Sequence, residues 1–102
     1  MAKSFPKGRN YEFDVAKTFR AHGSPDAEVN GIYDPLDVHL TIDGERQDFE
    51  VKRRKAGMTS AYKALANDAY GQIYKADYQE ELATVPLKTL LDLMLRAGCF
   101  NS

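Results

Sequence analysis

Asp37, Glu50 and Lys52 stand at the open end of a hairpin written into residues 36–52, LDVHLTIDGERQDFEVK. Asp43-Gly44 supplies the pair that a two-residue type I′ turn requires, because both central positions need positive φ. With that loop, Ile42 faces Glu45. Counting outward, Asp37 faces Glu50 in a non-hydrogen-bonded pair, the kind with the closer side chains. Lys52 lies one strand period beyond Glu50, on the same face. Like charges directly opposite destabilise a sheet, and a divalent cation between them reverses the sign of that interaction. The spacing therefore points to a metal site, and the neighbouring ammonium to an anionic substrate.

The elements that must position these groups follow from periodicity and breakers. Residues 8–22 read as a helix, with Tyr11, Val15, Ala16 and Phe19 at helical spacing and Gly23 as its stop. Residues 27–32 read as a short strand, with Gly31 at a bulge or close approach, broken by Asp34-Pro35. In the hairpin, Val38, Leu40, Phe49 and Val51 form an apolar face, and Asp37, His39, Thr41, Arg46, Asp48, Glu50 and Lys52 a polar one. Thr59 or Ser60 caps a helix running to about Asn67. Residues 70–76 and 81–85 read as two further strands. Pro86 opens a last helix with Leu87, Leu90, Leu91, Met94 and Leu95 on its apolar face, ended by Gly98. The order is α-β-β-β-α-β-β-α, in one domain spanning residues 1–102.

Composition narrows the partners. The chain has 102 residues, is 43% hydrophobic and carries a net charge of −1. A near-neutral total argues against a broadly basic nucleic-acid binder, but the charges are segregated. Residues 1–11 hold Lys3, Lys7 and Arg9 and no acid; residues 51–67 hold Lys52, Arg53, Arg54, Lys55 and Lys63 and no acid. Between them, residues 26–50 hold eight acids and one base, Arg46. Basic flanks around an acidic centre suit a metal-dependent phosphodiesterase. The single Cys99 excludes an intramolecular disulfide and is read as a small apolar filler of the last helix. No signal peptide and no apolar run long enough for a membrane span is seen, so the expectation is a soluble cytoplasmic protein with no membrane partner.

The chain resembles the PD-(D/E)XK nuclease superfamily, and within it the small Holliday-junction-resolvase-like proteins of archaea and phages. Lys7-Gly8-Arg9-Asn10-Tyr11-Glu12-Phe13 is similar to the family's opening, a basic-Gly segment entering a helix that bears Glu beside an aromatic residue. Asp37-Val38 resembles the Asp–hydrophobic step of the second strand, and Glu50-Val51-Lys52, thirteen positions on from Asp37, the E-x-K of the third. The Pro-Asp of the superfamily's name is absent: Asp34-Pro35 is reversed and Leu36 precedes Asp37. That makes Asp34 a rival ligand, but the hairpin count favours Asp37.

The resemblance implies a restriction-endonuclease-like α/β core, a mixed sheet of about five strands flanked by helices. It implies a Mg²⁺-dependent DNA endonuclease, with Mn²⁺ as a possible substitute, that hydrolyses phosphodiester bonds in branched DNA. Mg²⁺ takes one or two carboxylates plus waters and phosphate. Asp37 and Glu50 would supply the carboxylates and, by resemblance, Val51 its backbone carbonyl. Glu12 is carried over from the family's helix-borne Glu, reaching the metal directly or through water. Lys52 would orient or deprotonate the attacking water, or stabilise the charge that builds on phosphorus. Lys7, Arg9, Arg53, Arg54 and Lys55 are candidate phosphate contacts, and Tyr62, Tyr70, Tyr74 and Tyr78 are read mostly as core or interface aromatics. His39, opposite Asp48, is read as cross-strand stabilisation, and His22 as a partner for the helix C-terminus. A symmetric four-way junction needs two cuts, hence a homodimer; by resemblance alone, the expected origin is a phage or mobile element acting in the host cytoplasm. The alternative is a non-catalytic nucleic-acid-binding or inhibitor module on a nuclease fold. A third reading is an interaction domain with no nucleic-acid role.

Overall fold

The structure, a computed structural model, describes residues 7–100, and of residues 7–9 the backbone alone. The polar lead before Lys7, and the side chains of Lys7 and Arg9, lie outside the described residues. The chain is mixed α/β, with three helices and two small antiparallel sheets among the described residues. In chain order the elements are α1 (Lys7–Ala21), β1 (Glu28–Val29), β2 (Val38–Ile42), β3 (Glu45–Phe49), α2 (Thr59–Ala66), β4 (Gln72–Tyr74), β5 (Leu82–Thr84) and α3 (Leu87–Arg96). This is the expected order. The expected single mixed sheet is instead divided: β1-β2-β3 form one sheet and β4-β5 another, with every pairing antiparallel. The two three-residue strands, joined through residues 75–81, close their own ladder at modest loop entropy.

Two compact units are present, Met1–Arg53 with Leu91–Ser102, and Arg54–Leu90. In the first, α1 packs on β1 and β2. Val15, Ala16 and Phe19 of α1 are buried, as are Val38 and Leu40 of β2, Ala27 before β1, and Leu91. Phe19 meets Phe49 with ring centroids 5.7 Å apart and planes inclined at 45°, inside the range of favourable aromatic pairs. Arg20 donates to the Ala27 carbonyl at 2.8 Å and so ties the end of α1 to the approach of β1.

Both long-range helix ends in this unit close on glycine. Gly23 takes φ 111° while Ser24 N–H returns to the Phe19 carbonyl. Gly98 takes φ 75° while Cys99 N–H returns to Met94. These six-to-one returns satisfy carbonyls that the helix leaves open. Cys99 thus lies just past α3 rather than within it, and its carbonyl accepts the Asp43 N–H at 2.8 Å. His22 Nδ1 donates to the Thr18 carbonyl at 2.8 Å, the expected C-terminal partner. Gly31 needs no special space, since nothing lies within 4 Å of where its Cβ would sit.

In the second unit, α2 contacts β4, and Gln72 Nε2 donates to Ser60 Oγ at 3.1 Å. Neither Thr59 nor Ser60 caps α2. The cap is Met58, in the left-handed region with φ 50° and no side-chain hydrogen bond, so Ser60 is left for the contact with Gln72. Tyr62, Tyr70, Tyr74 and Tyr78 are exposed rather than core residues. The short elements of this unit offer too little apolar surface to cover them.

Leu40 is fully buried on the central strand between α1 and its neighbours. Leu40→Ala is expected to lower stability by about 2–5 kcal/mol, measured as a shift in urea midpoint with unchanged slope.

Candidate functional site

The hairpin turn has the expected form. Asp43 and Gly44 take φ 52° and 83°, and Ile42 pairs with Glu45. From there the register runs outward through Thr41–Arg46, Leu40–Gln47 and His39–Asp48 to Val38–Phe49. The ladder stops there, one pair short of an Asp37–Glu50 pair. Asp37 N–H donates to the Phe49 carbonyl at 3.0 Å, and Asp37 Oδ2 accepts the Val51 N–H at 2.7 Å. Past the end of β3, Val51 N–H has no ladder carbonyl to use, and an orphan donor is costly. The Asp37 carboxylate satisfies it with a charge-assisted bond and avoids lying directly opposite Glu50.

The structure therefore brings Asp37 onto the Glu50-Val51-Lys52 segment by a different contact from the one expected. Lys52 Nζ lies 3.4 Å from Glu50 Oε1, with both side chains more than half exposed (57% and 59%). Such a pair contributes little to stability, so both groups are available to a ligand. The Arg53 guanidinium sits 6.0 Å from the Tyr11 ring centroid, a cation–π distance. This links the segment after Lys52 to the turn of α1 that carries Glu12, which is half-buried. Alternating faces for Arg53 and Arg54 do not apply, because β3 has ended. Arg54 and Lys55 are exposed and belong to the second unit. Among the described residues, no three His, Cys, Asp or Glu side chains gather into a group able to hold a metal ion.

Sequence reasoning missed the hub beside this site. Asn30 follows β1 and is 4% exposed. Its Nδ2 donates to the Leu36 carbonyl at 3.1 Å and to Asp48 Oδ1 at 3.0 Å. Both partners only accept, so the amide orientation is determined and Oδ1 must be the acceptor. Oδ1 receives His39 Nδ1 at 2.5 Å and Arg46 at 3.3 Å. His39 Nδ1 is consequently the donor in that bond. His39 does sit across from Asp48, but Asn30 bridges the two. Arg46 also pairs with Asp48 at 3.0 Å and with Asp34 at 3.4 Å. Arg46, then Asn30, hold the Asp48 carboxyl below its ordinary 3.8. The Thr41 hydroxyl does the same, more than any other group, for Asp26, which also accepts from Ser24 at 3.1 Å. The one available signal was the lone base Arg46 in an acidic run.

A carboxyl with a depressed folded pKa stabilises the fold above its unfolded pKa and loses that contribution as the pH falls through the folded value. Arg46→Ala is therefore expected to be less stable than the parent at pH 7, with the difference shrinking as Asp48 protonates below about pH 4. Urea titrations at pH 7 and pH 3 measure it; a gap that is constant with pH contradicts the assignment. In comparisons with family models, curated proteins and solved structures, nothing matches this chain.

Proposed function

We propose that this chain is a Mg²⁺-dependent DNA endonuclease of the PD-(D/E)XK type, acting on branched DNA as a homodimer. The observation that carries the reading is the 2.7 Å bond from Val51 N–H to Asp37 Oδ2, which draws the Asp onto a Glu-x-Lys segment. The donor atoms are of the type the ion takes, oxygen from carboxylate and carbonyl. Asp37 commits one oxygen to Val51, Glu50 is exposed, and two carboxylates are as many as Mg²⁺ commonly takes from protein. Asp37, Glu50 and the Val51 carbonyl would hold it, with Glu12 joining directly or through water. When bound, the cation supplies Lewis-acid polarisation of a phosphate and acidifies water.

The chain's own groups do the remaining work. The Val51 N–H restricts the Asp37 carboxylate to one orientation, which lowers the entropic cost of using it. Lys52 pairs with Glu50 at 3.4 Å; with Glu50 held by a cation, its ammonium would be free to orient water or stabilise charge growing on the phosphate. Arg53 on Tyr11, together with Lys7, Arg9, Arg54 and Lys55, would position the DNA backbone without reading sequence.

A second reading is favoured by the same contacts. The Asp37–Val51 bond and the Glu50–Lys52 pair give both acids structural partners. A non-catalytic nucleic-acid-binding or inhibitor module would need nothing more.

Cleavage of end-labelled four-way junction, flap, single-stranded and duplex DNA with Mg²⁺, Mn²⁺ or EDTA separates the two. Metal-dependent cuts are expected, and are abolished by Glu50→Gln and by Asp37→Asn. Asn keeps an oxygen for Val51 N–H, so the second variant tests chemistry with the latch preserved. Wild-type cutting by either variant refutes the site, and binding without cutting establishes the module. Lys52→Ala is expected to lose rate more than affinity, since one amine is a small part of a many-phosphate contact. Equal losses in both make it a binding lysine.

A further inference from the structure

The loop between β1 and β2 presents Ile32 and Tyr33 to solvent at its tip, with Leu36 partly exposed behind them. Ile32 is 73% exposed and Tyr33 is 95% exposed. Scattered exposed hydrophobics are ordinary, but the backbone on either side of these two is held by hydrogen bonds. Asp34 N–H closes a turn on the Gly31 carbonyl at 3.0 Å, and Leu36 N–H donates to Asp34 Oδ1 at 3.0 Å. Asn30 Nδ2 holds the Leu36 carbonyl, and Arg46 grips Asp34 from β3. Asn30 N–H donates to the Asp37 carbonyl at 2.8 Å, so the two ends of the loop are tied to each other. Pro35 removes one more backbone freedom. Holding the flanks reduces the ordering entropy that the tip would lose on binding.

We propose that Tyr33, with Ile32 beside it, is a stacking platform for an unpaired nucleobase next to the phosphodiester held at Asp37, Glu50 and Lys52. This rests on the nuclease reading above. Tyr33 is four residues from Asp37, so its Cα lies within about 14 Å of that residue, the scale of one or two nucleotides. A nucleobase presents an uncharged π-face, which a phenol ring takes irrespective of sequence. The acids around the tip, Asp34 and Asp48, are held by Arg46 and disfavour phosphate there. The platform thus selects a base that has left its stack, while phosphates remain with the lysine and arginines.

The test uses DNA carrying 2-aminopurine in a single-base bulge, with Ca²⁺ in place of Mg²⁺ so that binding is read apart from cutting. The full chain is expected to quench the fluorophore. Tyr33→Phe, which keeps the ring, is expected to quench equally. Tyr33→Ala is expected to lose the quench and bind about tenfold or more weakly, with no change toward fully paired duplex. Quenching and affinity unaltered in Tyr33→Ala overturn the platform. Cutting that persists in that variant leaves the nuclease reading standing. Loss of bulge and duplex binding alike also overturns the platform, because stacking would discriminate between them.

Discussion

The first unit depends on the register of β2 against β3, and that register depends on two residues. Asp43 and Gly44 both take positive φ, the geometry whose twist matches the twist of the flanking strands. A slip of one residue would carry Val38 and Leu40 to the solvent face and His39 and Thr41 into the space under α1. With the register held, Val38 and Leu40 are buried against Val15, Ala16 and Phe19, and the opposite face is free for polar groups. The Asp43 N–H is in turn taken by the Cys99 carbonyl, so the turn is also anchored by the chain after α3.

The polar face is organised around one buried amide. Asn30 uses both hydrogens and its oxygen on Leu36, Asp48, His39 and Arg46. A half-satisfied buried amide would cost more than an apolar side chain in its place, so the network acts as a unit. It connects β1, β2, β3 and the intervening loop through side chains rather than ladder bonds. β1 is only two residues long, and this network supplies much of what holds that edge.

At the open end of the hairpin, one interaction carries two meanings. The Asp37 carboxylate completes the backbone where β3 ends, and the same bond holds it on the segment that carries the Glu50–Lys52 pair. A fold that uses an acid structurally and still leaves an oxygen to spare can acquire metal chemistry with little rearrangement. It can equally persist without that chemistry, which is why retained function at Asp37 and Glu50 must be read from cutting and not from stability.

Local chemistry was legible in the chain. The Asp-Gly turn, the register outward to Val38–Phe49, the glycine stops at Gly23 and Gly98 and the order of eight elements all follow from short-range sterics and periodicity. So did the nearness of Asp37 to Glu50-Val51-Lys52, because a hairpin register is arithmetic on neighbouring positions. The tertiary structure alone decided that five strands divide into two sheets and that Asp37 turns to Val51 instead of facing Glu50. It alone made Asn30 the centre of the polar face and put Tyr33 on a pinned loop. The physical reason is the same in each case. Backbone periodicity constrains which way a residue faces, whereas the partner of a side-chain oxygen or amide is chosen among groups many residues apart that only the assembled fold brings within hydrogen-bond reach.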